Sequence, residues 1–248
     1  MTSSHEKSAQ ETSARREQLS ANLRHVQERI DAACQSAGRP PAEVVLIVVT
    51  KFFPFSDLEA LCQLGVTDIG ESRDQEASAK IAALPVDVRD RLTVHFVGQL
   101  QSNKAASLAS YADTVHSIDR DKLVGALDRS AAAAGRDLGA LVQVSLSGGA
   151  PGRGRGGLAP EGLAELADKV AAARHLTFRG LMAVAPVGVD PAVAFAQLAT
   201  VAREVRAGHP EATWISAGMS ADLEAAVANG ATHLRVGSAI LGSRPPAG

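Results

Sequence analysis

The sequence has few aromatic side chains and no excess of charge of either sign. Phe, Trp and Tyr make up 3% of its 248 residues, with a single tryptophan and a single tyrosine, and the net charge is −2. Proteins that bind single-stranded nucleic acid stack its bases on aromatic side chains, and those that bind duplexes or anionic membranes carry a basic surface. The composition therefore predicts neither a nucleic-acid partner nor a membrane partner.

Cysteines and long apolar runs are scarce as well. Cys34 and Cys62 lie in separate helix-like stretches, without the spacing of a metal site or of a disulfide framework. No apolar run reaches the length of a membrane-spanning helix, and the polar residues 1–10 lack the apolar segment of a secretion signal. These absences predict a protein of the reducing cytoplasm with no bound metal.

What the sequence does contain is a regular alternation of short apolar runs and helix-like stretches. The first run, residues 44–51, holds four valines and ends in a lysine, which is typical of a strand buried on both faces. Seven further strand-like runs follow, each with a helix-like segment after it. Eight such units in a chain of this length indicate a (β/α)8 barrel. The alternative is a doubly wound sheet, but no Gly-x-Gly-x-x-Gly turn follows the first strand.

The predicted fold is therefore of the α/β class, a single-domain TIM barrel with an extra N-terminal helix. Leu19, Leu23, Val26 and Ile30 are spaced three and four apart, which indicates that helix. Residues 1–13 are polar and are predicted to form a disordered tail, whereas residues 14–244 are predicted to form the barrel.

In a barrel of this kind, the functional site lies at the carboxyl ends of the strands. Lys51 ends the first strand, where it either marks the edge of solvent or puts an amine into the mouth of the barrel. Segments 216–220 and 235–239 follow strands seven and eight and combine glycine with serine. That composition suits a phosphate site, and it equally suits a tight turn into a helix. Ser220 is predicted to cap the helix that follows it.

Three other features have more than one interpretation. His95 ends the third strand, either as a hydrogen-bonded core histidine or as part of the site. Asn103 stands near the start of a helix, where it either caps the helix or contributes to the site. Arg153 and Arg155 lie in a glycine-rich segment, either in solvent or as part of a lid.

A lysine and a phosphate site at one barrel mouth suggest Schiff-base chemistry. One ligand that fits is a phosphorylated sugar held by an aldolase lysine. The other is pyridoxal phosphate (PLP), whose aldehyde condenses with lysine and whose ring nitrogen needs a partner. Arg235, at the end of strand eight, is a candidate for that partner.

Seven segments, taken in order, also resemble a known family. They are Thr50-Lys51, Gly70-Glu71-Ser72-Arg73-Asp74-Gln75-Glu76, His95-Phe96-Val97-Gly98-Gln99-Leu100-Gln101-Ser102-Asn103-Lys104, Ser117-Ile118-Asp119, Gly180-Leu181-Met182, Gly218-Met219-Ser220-Ala221-Asp222 and Arg235-Val236-Gly237-Ser238-Ala239-Ile240. The pattern is similar to that of the pyridoxal phosphate homeostasis proteins, the YggS/PROSC family. It runs from the first strand almost to the C-terminus.

The resemblance implies a barrel like the N-terminal domain of alanine racemase, with PLP as the cofactor. Lys51 would carry PLP as an internal aldimine, and Arg235 would face its pyridine nitrogen. A cationic arginine there keeps that nitrogen unprotonated and makes the ring a weaker electron sink. The residues implied to hold the phosphate are Ser220, Gly237 and Ser238, and the predicted cofactor-binding set is completed by Ser216, Met219, Asn103 and His95. The family usually has asparagine where this chain has Ser72, and threonine where it has Ser238.

An alanine racemase also needs a second base, usually a tyrosine. The single tyrosine, Tyr111, is placed away from any predicted strand end. We therefore predict a PLP-binding homeostasis protein, a cofactor carrier with little or no turnover, and not an enzyme. A PLP-dependent amino-acid racemase is the alternative. Apo PLP-dependent enzymes are the candidate protein partners, and the chain is predicted to be a monomer.

Overall fold

Eight parallel strands close into a barrel in the computed structural model of the chain, which describes residues 2–147 and 156–243. The strands are β1 (Val45–Val49), β2 (Asp68–Glu71), β3 (Thr93–Phe96), β4 (Thr114–Ile118), β5 (Leu138–Val144), β6 (Leu176–Ala183), β7 (Trp214–Ser216) and β8 (His233–Val236). Each strand pairs with its neighbours in the sequence, and β1 also pairs with β8, where Val48 lies opposite Val236. The predicted TIM barrel is confirmed.

Helices follow the strands and surround the barrel. They are α1 (Thr2–Ser36), α2 (Phe55–Gln63), α3 (Asp74–Ala82), α4 (Val86–Arg89), α5 (Ala105–Tyr111), α6 (Asp121–Ala134), α7 (Leu163–Ala172), α8 (Pro191–Gly208), α9 (Leu223–Ala228) and α10 (Ser238–Leu241). Short 3-10 turns precede β1, α5 and α7. Among the described residues, none of these helices combines the length and the apolar character that crossing a membrane requires.

The extra N-terminal helix is present, but it starts earlier than the sequence predicted. α1 begins at Thr2, whereas residues 1–13 were predicted to be a disordered tail. The chain has no glycine or proline before Gly38, so nothing stops a polar helix from extending towards the N-terminus. Further along α1, the buried residues Leu19, Val26 and Ile30 join the main core.

Strand residues alternate between two environments, as they must in a closed barrel. Outward-facing residues such as Val94, Val115 and Val142 pack against the helices and form the main core. The inward side is partly polar, because His95 and His116 are fully buried there and hydrogen-bonded to each other. Polar groups inside a barrel need partners, and these residues find them across the barrel axis.

Candidate functional site

A cavity of about 570 Å³ opens at the carboxyl ends of the strands. Its volume is in the usual range for small-molecule sites. Six residues of the predicted set line it together: Lys51, Met219, Ser220, Arg235, Gly237 and Ser238. The cavity thus brings together residues of β1, of β8 and of the loop after β7, which are far apart in the sequence.

Lys51 lies two residues after the end of β1 and stands in a constrained turn. The next residue, Phe52, has a φ of 71°, a left-handed conformation that is costly for a bulky side chain. The backbone N–H of Phe52 donates to Glu76 Oε1 at 2.6 Å. Glu76 therefore stabilises the conformation that directs the chain past Lys51.

A buried ion pair stabilises the same turn from outside the barrel. Lys80 Nζ of α3 donates to Glu71 Oε1 and to the carbonyl oxygen of Thr50, each at 2.9 Å. Thr50 Oγ1 also donates to Glu71 Oε1, at 2.7 Å. Glu71 is fully buried, and burial raises the pKa of its carboxyl in spite of Lys80. The residue before Lys51 is thus tied to β2 and to α3.

On the other side of the cavity, two serine hydroxyls meet. Ser238 Oγ donates to Ser220 Oγ at 3.1 Å, and the backbone N–H of Ala239 donates to the same oxygen at 3.2 Å. Gly237 passes close to β1, because a Cβ added there would lie 3.2 Å from the carbonyl oxygen of Val49. Two hydroxyls beside such a close backbone approach suit an anion such as phosphate.

The predicted helix cap at Ser220 is wrong. α9 begins at Leu223, after Asp222, and the Asp222 carboxylate accepts from the backbone N–H of Met219 at 2.5 Å. The aspartate closes the turn by itself, which leaves the Ser220 hydroxyl directed towards Ser238 and Ala239. The sequence showed a serine before a helix, but it did not show which of two neighbouring polar side chains would close the turn.

Side chains of α1 hold the backbone of this serine-lined side. Arg29 donates to the carbonyl oxygen of Ser220 at 3.0 Å and also pairs with Glu224. Asn22 donates to the carbonyl oxygen of Ile240 at 2.8 Å, and Arg15 donates to that of Leu241 at 3.0 Å. The extra helix therefore fixes the two loops that carry the hydroxyls.

Arg235 provides a buried cation on the floor of the cavity. Its side chain donates to Ser216 Oγ at 2.7 Å and to the carbonyl oxygen of Ala183 at 2.8 Å. Burial lowers the pKa of Arg235 to about 10, which leaves it charged at neutral pH. Within residues 2–147 and 156–243 it forms no ion pair with a carboxylate, so its charge is available to an acceptor in the cavity.

Three predicted residues do not line the cavity. Ser216 lies below it and binds Arg235. His95 is fully buried inside the barrel, between His116 and Asp68, which corresponds to the core-histidine interpretation. Asn103 is exposed and lines a different surface cavity, beside α6. Arg153 and Arg155 lie outside the described residues.

The cavity also contains residues that the predicted set lacked. Phe52, Gln99, Gln143 and Met182 line it. Gln143 and Met182 lie opposite each other in the pairing of β5 with β6. The alternation of side chains along a strand could have predicted Gln143 and Met182, because residues two apart point to the same side of a strand.

The single tyrosine, Tyr111, is not among the residues that line this cavity. Tyr111 is almost fully buried at the end of α5, and its hydroxyl donates to Asp74 at 3.4 Å. Burial raises the pKa of Tyr111 further above its usual value. Among the described residues, no group of three or more acidic, histidine or cysteine side chains is placed to hold a metal ion.

Comparison with known proteins identifies the family. The model of the alanine racemase N-terminal domain matches residues 15–245. A protein of Mycobacterium tuberculosis H37Rv named pyridoxal phosphate homeostasis protein is 41% identical over 243 residues, which cover 93% of this chain and 94% of the relative. The chain belongs to the pyridoxal phosphate homeostasis protein family.

Solved structures are similar as well. The family member PipY of Synechococcus elongatus, with PLP bound, is 33% identical and has a TM-score of 0.76, over 90% of this chain and all of that one. Alanine racemase from Corynebacterium glutamicum has a TM-score of 0.63 at 15% identity, over 94% of this chain and 62% of the racemase. The racemase shares the fold, whereas PipY shares both the fold and the family with this homeostasis protein.

Proposed function

We propose that this protein binds PLP at the mouth of the barrel, holds it covalently through Lys51, and serves as a carrier in PLP homeostasis with little or no turnover. The observation that carries the proposal is the chemistry around one cavity of about 570 Å³. An amine, a buried guanidinium that forms no ion pair with any carboxylate in the described part of the chain, and a pair of hydroxyls line it.

Each group matches one part of the cofactor. When bound, PLP supplies an aldehyde that condenses with an amine and a ring that withdraws electrons. Lys51 provides the amine, and the turn at Phe52 orients it. Ser220 and Ser238 provide hydroxyls for the phosphate, and Arg235 faces the ring nitrogen as a donor. The names of the relatives and the PLP-bound structure of PipY support the same ligand.

The predicted lack of turnover depends on the second base. A racemase must remove a proton from one face of its substrate and return one to the other face. Tyr111 does not line the cavity, and its hydroxyl is occupied by Asp74. An amino-acid racemase remains the second candidate function and is an outcome of the experiment below.

Borohydride reduction is expected to fix the cofactor on Lys51. Protein incubated with PLP should show a visible absorption band, and peptide mass spectrometry after reduction should find the label at Lys51. Lys51→Ala should lose the label and keep weak PLP binding, because the serines and Arg235 remain. Lys122→Ala, on exposed α6, is the matched control and should be labelled like the parent.

Two results would count against the proposal. A protein that gives neither the band nor a labelled peptide does not hold PLP through Lys51. Rapid exchange of the Cα proton of an amino acid for deuterium, with inversion, would instead establish the racemase.

Replacing Ser238 is expected to weaken the binding of PLP but not of pyridoxal, which lacks the phosphate. Loss of one hydrogen bond to a charged group corresponds to a rise of about tenfold in the Kd of PLP for Ser238→Ala. Spectroscopic titration with both ligands measures the two constants, and Ser110→Ala on α5 is the control. Equal weakening for both ligands would show that Ser238 does not contact the phosphate.

A carrier needs recipients. Apo forms of PLP-dependent enzymes are the candidates, because they require the cofactor that this site would retain without consuming. This partner, the monomeric state and the cytoplasmic location stay predictions.

A further inference from the structure

A chain of hydrogen-bonded side chains crosses the inside of the barrel below the cavity. Arg235 donates to Ser216 Oγ at 2.7 Å, and Ser216 Oγ lies 2.9 Å from His116 Nδ1. His116 Nε2 lies 2.9 Å from His95 Nδ1, and His95 Nε2 lies 3.0 Å from Asp68 Oδ1. We call these five residues the barrel relay.

The two ends of the barrel relay reach different cavities. Arg235 lines the cavity at the carboxyl ends of the strands. Asp68, the first residue of β2, lines a second cavity of about 460 Å³, together with Arg24 and Gln27 of α1. The Asp68 side chain is 22% exposed, whereas His95, His116 and Ser216 are buried. The barrel relay therefore spans the interior from a cation at one end to an anion at the other.

The chemistry of the groups orients every hydrogen in the barrel relay. Burial acts to raise the pKa of Asp68, but hydrogen bonds from His95 and Thr67 bring it below its usual value, so at neutral pH the carboxylate only accepts. A neutral His95 then carries its proton on Nε2 and accepts at Nδ1. His116 must donate to it from Nε2, which leaves His116 Nδ1 as the acceptor for the Ser216 hydroxyl.

These partners determine the direction of the hydrogen on the Ser216 hydroxyl. Its hydrogen is directed at His116, so its oxygen lone pairs are available to the Arg235 guanidinium. If the proton of His116 lay on Nδ1 instead, Ser216 Oγ would accept from both His116 and Arg235, and the Ser216 hydrogen would lose the acceptor that His116 provides. Because each bond sets the direction of the next, the acceptor at Asp68 determines which way the hydrogen bond at Ser216 runs.

We propose that Asp68, His95 and His116 are positioning residues for Arg235. They fix the tautomer that makes Ser216 an acceptor and so hold the guanidinium at the floor of the cavity. The carboxylate of this chain of bonds, Asp68, lies at the opposite end of the barrel, and within residues 2–147 and 156–243 Arg235 forms no ion pair. For the identity of that acceptor, the ring nitrogen of PLP, the inference rests on the proposed function.

The orientation of the barrel relay is tested without cofactor by NMR of protein containing ¹⁵N-labelled histidine. From the hydrogen-bond partners, we expect His95 and His116 each to carry a single ring proton, on Nε2. Asp68→Ala should give a mixture of tautomers at both histidines, whereas Asp68→Asn, whose carboxamide oxygen still accepts, should retain the parent state. His233→Gln is the control, because His233 packs beside His95 but is bonded to Thr232.

The positioning of Arg235 is read from the rotation of its guanidinium about the Cζ–Nε bond, also by NMR of the cofactor-free protein. Rotation should be about tenfold faster in Asp68→Ala than in the parent and nearly unchanged in Asp68→Asn. A His116 that carries its proton on Nδ1, or a rotation rate that is equal in the parent and Asp68→Ala, would overturn the proposal.

Titration with PLP separates this inference from the proposed function. If Asp68 positions Arg235 for the cofactor, the Kd of PLP should rise about fivefold in Asp68→Ala, and the pH titration of the absorption band should shift. A parent protein that binds no PLP would overturn the proposed function, whereas the two NMR measurements would still decide whether the barrel relay positions Arg235.

Discussion

Replacing Lys80 with methionine is expected to lower the free energy of unfolding by about 3–5 kcal/mol. Lys80 Nζ donates to the fully buried Glu71 carboxylate and to the carbonyl oxygen of Thr50. Methionine fills a similar volume but cannot donate, so Glu71 would remain in the interior without its cation. Equilibrium unfolding in urea, followed by circular dichroism, measures the change.

The size of this loss should depend on pH. Burial raises the pKa of Glu71, and the Lys80→Met substitution removes the charge that opposes this rise. A carboxyl whose pKa is raised in the folded state lowers the stability only at a pH where it is ionised. The difference in free energy of unfolding between Lys80→Met and the parent should therefore become smaller as the pH is lowered from about 8 to about 5. Adding Glu71→Gln should recover part of the loss, because it removes the uncompensated charge.

Lys122→Met is the matched control, since Lys122 is exposed on α6, and it should change the stability by less than about 0.5 kcal/mol. A loss for Lys80→Met that is as small as this, or that is the same at both ends of the pH range, would show that the ion pair with Glu71 is not what stabilises the turn before Lys51.

Acid is expected to unfold the protein early, because two histidines are buried in the neutral form. Burial lowers the pKa of His233 to about 3 and holds the pKa of His116 well below its usual value. Such a histidine takes up its proton only on unfolding. The free energy of unfolding is therefore highest above about pH 6.5 and falls as the pH decreases below that value. Each contributes a slope of about 1.4 kcal/mol per pH unit between about pH 6 and pH 4.5, where most carboxylates are still ionised.

Urea titrations at several pH values measure this slope. His233→Gln should remove about half of the pH slope that the two buried histidines contribute. His25→Gln, at an exposed position of α1, should leave the slope unchanged. A stability that is constant from about pH 6.5 to pH 4.5 would be evidence that His116 and His233 titrate alike in the folded and unfolded chain.

The sequence was sufficient to predict the barrel, because each βα unit carries its own local pattern of apolar runs and breaks. Lys51, Ser220, Arg235 and Ser238 could be predicted as neighbours for the same reason, since all of them follow strands of one barrel. The start of α1 could not be predicted in this way. A polar segment with no helix breaker is compatible with a helix as well as with a disordered tail.

The contacts that orient these residues depend on the three-dimensional structure. Ser216 and His116 are 100 positions apart and meet only across the barrel axis. For His95, the sequence left the core and the site interpretations open, because its partners lie on β2 and β4. Asn103 shares a motif with His95 but lies on a 3-10 turn outside the cavity. Proximity to a site residue in the sequence did not place a side chain in the site.

The hydrogen bonds from α1 join one end of the chain to the other. Arg15 and Asn22 bind the carbonyl oxygens of Leu241 and Ile240, more than 200 positions later, and β1 pairs with β8 over a similar separation. During translation, α1 and β1 leave the ribosome long before these partners have been synthesised. The edge of β1 that pairs with β8 therefore stays unpaired until synthesis is almost complete, whereas the other edge can pair with β2 early. The amine of Lys51 and the serine hydroxyls meet only then, so a nascent chain has no finished site with which to capture a reactive aldehyde.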